Sequence, residues 1–120
     1  MRKIKNYVQI FKSIADESRL RILLMLRVRP LCVCELYVAL DIALSTLSAH
    51  LKILKNADLV EDNKDGRWVT YKLTEKKPFR DILIKALERY LEKDITFIND
   101  RTTISRLTRE QCALKVRERV

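Results

Sequence analysis

One glycine, two prolines and a single histidine are spread over 120 residues. So little glycine and proline excludes a loop-rich chain and points to a mostly helical one. No apolar run is long enough to cross a bilayer, so no membrane partner is expected. The N-terminal MRKIKNYVQIF is basic but alternates apolar with polar residues, which makes a poor secretory signal. Three cysteines, an odd number without such a signal, argue against a disulfide framework and for free thiols in a reducing cytoplasm. Paired carboxylates, a nucleophile–base set and a glycine-rich phosphate loop are all missing, so the chain is not expected to be an enzyme.

What is present centres on Leu31–Asn56, two short helical patterns joined by a tight break. The second pattern puts Leu44, Leu47, Leu51 and Leu54 on one apolar face. Ser45, Ser48, Ala49, Lys52 and Lys55 fall on or beside the other face, which is small, hydroxylated and basic and suits close approach to a DNA groove. The first pattern runs from about Val33 to Leu40, with Leu36, Val38 and Leu40 as core candidates. Asp41 to Ala43 is short enough for a helix-turn-helix connection, although the common Gly is absent.

The flanking segments read as support. Ile4, Tyr7, Val8, Phe11 and Ile14 form one helical stripe. Asp16 is placed to cap a second helix carrying Leu20, Leu23, Leu24 and Leu26, which Pro30 stops while helping to open the next. From Leu59 to Leu73 the pattern becomes a two-stranded hairpin with Asp65-Gly66 at its tip. Lys64 and Arg67 flank that tip, either as phosphate contacts or as solvated turn residues. After Pro78, a broad stripe of Phe79, Ile82, Leu83, Ala86, Leu87, Tyr90 and Leu91 exceeds what one neighbouring helix needs, so with the first helix it reads as a subunit interface. In the tail, Leu107, Leu114 and Val116 can ride one face of a final helix, with Cys112 nearby. The organisation expected is a DNA-binding and dimerisation domain over 1–95 and a basic C-terminal tail over 96–120. The net charge of +9 sits at the two ends, and a basic balance weakly favours a polyanionic partner.

Helices, helix-turn-helix, hairpin and helix is the order of a winged helix-turn-helix, mainly α with a small β-hairpin wing. Five pieces in register resemble the ArsR/SmtB metalloregulatory repressors: Ile14-Ala-Asp-Glu-Ser-Arg-Leu-Arg-Ile-Leu, Leu31-Cys-Val-Cys-Glu-Leu, Leu44-Ser-Thr-Leu-Ser-Ala-His-Leu-Lys-Ile-Leu, Ala57-Asp-Leu-Val and Gly66-Arg-Trp-Val-Thr-Tyr-Lys-Leu. The likeness covers roughly residues 7–91. Its cysteine box resembles that of the arsenite- and antimonite-sensing branch. The resemblance implies a cytoplasmic homodimer that represses an arsenic-resistance operon by holding double-stranded operator DNA until As(III) or Sb(III) binds. That branch often has a third Cys where this chain has Tyr37, and the last helix carries none of the histidines of the zinc branch.

Trivalent arsenic is soft and prefers thiolates. On a regular helix Cys32 and Cys34 would point to opposite sides, so the helix must start late or unwind for both to bind one ion. Pro30 puts them at a helix start, where thiol pKa values fall. Cys112 is a candidate third ligand, and equally a lone packed thiol. A thiol-redox switch, or a response to Cd or Pb, keeps the same sulfurs functional with a different signal. In the expected mechanism two copies of the Leu44–Asn56 helix occupy successive major grooves. Ser45, Thr46, Ser48, Ala49 and His50 would contact bases or phosphates, and Lys52, Lys55, Lys64 and Arg67 would neutralise phosphates. Ligand binding would then pull the first turn of the cysteine helix out of shape and re-aim its neighbour.

Overall fold

The computed structural model describes residues 3–119. Helices α1 (Ile4–Ile14) and α2 (Glu17–Leu26) lead into a two-residue strand β1 (Leu31–Cys32). Helices α3 (Val33–Leu40) and α4 (Leu44–Asn56) follow, then strands β2 (Val60–Asp65) and β3 (Trp68–Leu73), and helices α5 (Pro78–Tyr90), α6 (Ile95–Arg106) and α7 (Arg109–Arg119). This is the winged helix-turn-helix expected from the element order, mainly helical with a small antiparallel sheet.

Local chemistry sets most boundaries. Asp16 is extended and its carboxylate accepts the Arg19 N–H at 3.0 Å, capping α2. That hydrogen bond is the main reason its pKa falls below the usual 3.8. Pro78 occupies the first turn of α5, where its missing N–H costs nothing. Between α3 and α4 the left-handed residue is Asp41, at φ 54°, which stands in for the missing glycine because a short polar side chain tolerates that region. The two helices bend by 116° across the break, the angle of a helix-turn-helix.

The sheet differs from the sequence expectation in two ways. It has three strands, ordered β1-β3-β2, with Leu31 paired to Tyr71 and Cys32 to Thr70. Pro30 therefore opens a strand rather than a helix, and two residues form one only because β3 offers a free edge. The hairpin turn sits one residue later than expected: Asp65 pairs with Trp68, and Gly66 with Arg67 fills the loop. Gly66 has φ +59° at the first central position, the place a two-residue hairpin turn reserves for glycine.

Leu47, Leu51 and Leu54 of α4 bury against Leu23, Leu36 and Ile84, all at most 2% exposed. Truncating one of them to Ala would cost about 2–5 kcal/mol. This core fixes α4 from behind and leaves its opposite face free. On α1 and α5, Tyr7 and Phe11 meet Phe79 edge to face at 4.9 and 5.7 Å. Beside that contact Ile4 and Phe11 of α1 and Ile82 and Tyr90 of α5 stay largely exposed, so the broad stripe is not consumed by the monomer core. No single helix among the described residues is long and apolar enough to cross a membrane.

The tail folds back. Arg21 makes a two-pronged ion pair with Asp100, both distances 2.9 Å, which fastens α6 to α2. Glu88 of α5 pairs with both Arg27 and Arg101. Helix α7 then lies on α3, with Cys112 fully buried and Val116 packed one turn further on. Leu114, a candidate for that face, is 59% exposed. The inward stripe of α7 runs through Cys112 instead.

Candidate functional site

Two surfaces meet at the turn before α4. The first is the outward face of α4. Ser45, Thr46, Ser48, Ala49 and Lys52 are all exposed there. His50 is half-buried, and its Nδ1 accepts from Arg19 Nη1 at 3.2 Å. That nitrogen also lies 3.8 Å from Asp16 Oδ2, so it is engaged inside the protein. Arg19 also donates to the Ser13 carbonyl at 2.7 Å, which ties α1, α2 and α4 into one corner. Lys55 pairs with Asp62 of β2 at 2.9 Å, and that hydrogen bond raises its pKa. Its charge is thus partly spent within the protein. Lys64 and Arg67 stay exposed at the wing, where the Arg67 guanidinium lies 4.8 Å from the centre of the Trp68 ring.

The second surface is the cysteine pair. Cys32 is not in the helix. It is the extended N-cap of α3, at φ −76° and ψ 160°. Its sulfur accepts the Glu35 N–H at 3.3 Å, while Glu35 Oε1 accepts the Cys32 N–H at 2.9 Å. This is a capping box with cysteine where serine or threonine usually stands. Glu35 is only 5% exposed, and its other oxygen takes a 2.8 Å bond from Arg29. Arg29 also donates to the Ile104 carbonyl near the end of α6. Glu35 and Arg29 thus hold the sulfur-bearing turn rigidly. Sequence reasoning passed over both, although a glutamate three residues after a cap position is a legible signal.

Because α3 starts after Cys32, the two sulfurs converge with no loss of helix. Their Cα atoms are 5.4 Å apart and the sulfurs are joined as a disulfide, where free thiols were expected. The late start is one of the two arrangements expected for both sulfurs to serve one ion, and it makes the expected distortion of the first turn unnecessary. A soft ion that needs two adjacent sulfurs fits this pair. A cavity of about 390 Å³ opens beside them, bounded by Leu44 at the start of α4, Trp68 of the wing, and Ala113, Val116 and Arg117 of α7.

Cys112 is the one free cysteine, and it is buried. Burial pushes its thiol up to about 11, so it stays protonated near neutral pH. Among the described residues no three His, Cys, Asp or Glu side chains are grouped closely enough to hold an ion.

Residues 16–62, which span α2, α3, α4 and the start of β2, match the family model described as bacterial regulatory protein, arsR family. The chain is 46% identical over 68 residues to the arsenical resistance operon repressor of Escherichia coli K12, a match covering 56% of this chain and 58% of that one. It is 38% identical over 89 residues to the arsenic resistance transcriptional regulator ArsR1 of Pseudomonas putida, covering 72% and 70%. It is also 39% identical over 62 residues to the cadmium resistance transcriptional regulatory protein CadC of Listeria innocua, covering 51% and 52%. Among solved structures, reduced HlyU from Vibrio cholerae is similar at 35% identity and TM-score 0.67, covering 72% of this chain and 88% of that one. The homodimeric winged helix-turn-helix DNA-binding domain Mb0332 from Mycobacterium bovis is similar at 26% and 0.62, covering 76% and 87%. The curated relatives are named as a repressor and transcriptional regulators and Mb0332 as a DNA-binding domain, in keeping with a chain that is not an enzyme.

Proposed function

Since this chain belongs to the ArsR family of bacterial regulatory proteins, we propose that it is a cytoplasmic homodimeric repressor of an arsenical-resistance operon. As(III) or Sb(III) at Cys32 and Cys34 releases it from operator DNA. The observation that carries this reading is the convergence of the two sulfurs at the cap of α3, one helix before the exposed face of α4.

In the reduced protein, arsenous acid loses two hydroxyls as two waters, and two thiol protons leave with them. Two As–S bonds replace two As–O bonds, with no change in oxidation state. The third position keeps a hydroxyl and faces the cavity. Cys112 is assigned a packing role, because it is buried and no three His, Cys, Asp or Glu side chains among the described residues are grouped closely enough to hold an ion.

On DNA, Ser45, Thr46, Ser48 and Ala49 approach the major groove and Lys52, Lys64 and Arg67 neutralise phosphates. The exposed apolar residues of α1 and α5 pair two copies, so that two α4 helices reach successive grooves. Loading the sulfurs alters the cap of α3 and the β1–β3 pairing that ends at Cys32, opposite Thr70 in the strand that carries the wing. A coupling of about 1–3 kcal/mol lowers operator affinity about 5–150-fold. The ion must favour the free form for any shift to occur.

The test is titration of the reduced protein with arsenite, antimonite, cadmium and lead. Sulfur–ion absorption and fluorescence anisotropy of labelled operator DNA are followed together. Release by arsenite at one ion per chain supports the proposal; full occupancy with unchanged operator affinity overturns it. The disulfide favours a second reading, in which oxidation of Cys32 and Cys34 is the signal. Release by a thiol oxidant but by none of the ions would select it.

A further inference from the structure

We propose that Arg109, the first residue of α7, transmits the state of the thiol pair to the wing. The inference rests on the reading that Cys32 and Cys34 bind the inducer. Arg109 touches both sides. Its carbonyl oxygen lies 3.5 Å from the Cys34 sulfur, within reach of a reduced thiol's S–H. Its guanidinium lies 5.0 Å from the centre of the Trp68 ring and 3.8 Å from Asp65 Oδ2 at the wing tip. Trp68 thus sits beside two guanidinium groups, one from the hairpin loop and one from α7.

Helix α7 is held in this position from within. Cys112 and Val116 pack towards α3 and the core, and Ala113, Val116 and Arg117 form one wall of the cavity beside the sulfurs. The cavity and the thiol pair therefore share α7 as a lid. When arsenite closes on the pair, the Cys34 thiol proton departs and a bond to arsenic takes its place. The hydrogen bond to the Arg109 carbonyl goes with that proton, and the bound ion presses into the space α7 covers. The start of α7 shifts, the Arg109 guanidinium leaves Trp68 and Asp65, and the wing carrying Lys64 and Arg67 loses its fixed position. Helix α7 lies outside the segment 16–62 that matches the family model.

Trp68 is the only tryptophan in the chain, so tryptophan emission reports the surroundings of this one ring, and Arg109→Ala isolates the share that belongs to Arg109. The reduced full chain is titrated with arsenite without DNA, following As–S absorption and Trp68 emission together. The emission should change with the same midpoint as the absorption. Arg109→Ala should keep the absorption and lose the emission change, and its arsenite-driven fall in operator affinity should shrink to less than a third of the wild-type fold-change. Asp65→Asn, an exposed change at the other end of the contact, should reduce both responses in part. An As–S band with a silent Trp68, or an Arg109→Ala protein with the full emission change, overturns this inference and leaves the proposed function standing. Absence of the band in the wild-type protein removes both.

Discussion

Cys32 has two separable jobs, and substitution can pull them apart. Its sulfur caps α3 by accepting the Glu35 N–H, and in the proposed function it also binds the inducer. Cys32→Ala removes both roles. The cap position is 2% exposed, so water cannot replace the lost acceptor. Losing a side-chain cap costs about 0.5–2 kcal/mol, and a weak sulfur acceptor belongs near the middle, at about 1 kcal/mol. For a chain of this size that lowers Tm by about 3–6 °C. Cys32→Ser removes only the soft ligand. Serine is a stronger cap acceptor at the same place in the box, so stability should stay within about 0.5 kcal/mol of wild type. Both variants should lose the arsenite response. The assay is urea unfolding of each reduced protein at one fixed chain concentration, since a dimer's stability depends on it. Operator anisotropy with and without arsenite accompanies it. If Cys32→Ser is destabilised as much as Cys32→Ala, the capping account is wrong. If Cys32→Ser releases DNA at the wild-type arsenite concentration, this sulfur is not a ligand.

Other outcomes follow from the same geometry. Cys112→Ala should lower stability by about 1 kcal/mol or more through a small cavity, yet shift the arsenite midpoint less than twofold; a shift above tenfold would restore Cys112 as a ligand. Lys64→Ala and Arg67→Ala should each weaken operator binding and lower the salt slope by about 1 per protomer, about 2 for the dimer, whereas Lys55→Ala, already paired with Asp62, should change the slope by less than half as much; equal slopes for all three would show that the ion pair opens on DNA. Asp16 has a native pKa below its unfolded value, so its ionised cap stabilises the fold above the unfolded pKa. The advantage of wild type over Asp16→Ala, about 1 kcal/mol at neutral pH, should therefore shrink as pH falls through the native pKa; a gap independent of pH would mean that charge plays no part.

Most of the architecture could be read in the chain because it depends on near neighbours. Leu47, Leu51 and Leu54 recur at helical spacing and are buried. Asp16 caps the helix it precedes. The exposed hydroxyl face of α4 followed from which side the leucines took. Legibility failed where a partner distant in sequence decided the outcome. Strand β1 is too short to show a period and exists because Tyr71 and Thr70 accept it. His50 sits on the expected face, yet Arg19, 31 residues away, claims its nitrogen. Lys55 carries the charge expected of a phosphate contact, and Asp62 has already engaged it.

The cysteine site divides in the same way. Sequence alone determined that Cys32 and Cys34 stand at a helix start after Pro30, because a proline and two residues of spacing are local facts. Whether the sulfurs diverge or converge depended on the helix beginning at Val33, and the β1–β3 ladder with the Glu35–Arg29 clamp settled that. The fate of Cys112 and the contact of Arg109 with Cys34, 75 residues away, were likewise decided by how the tail folded back. Periodicity shows which face of a segment avoids water, but not which distant segment covers it. That choice is made by packing and charge pairing across the whole fold.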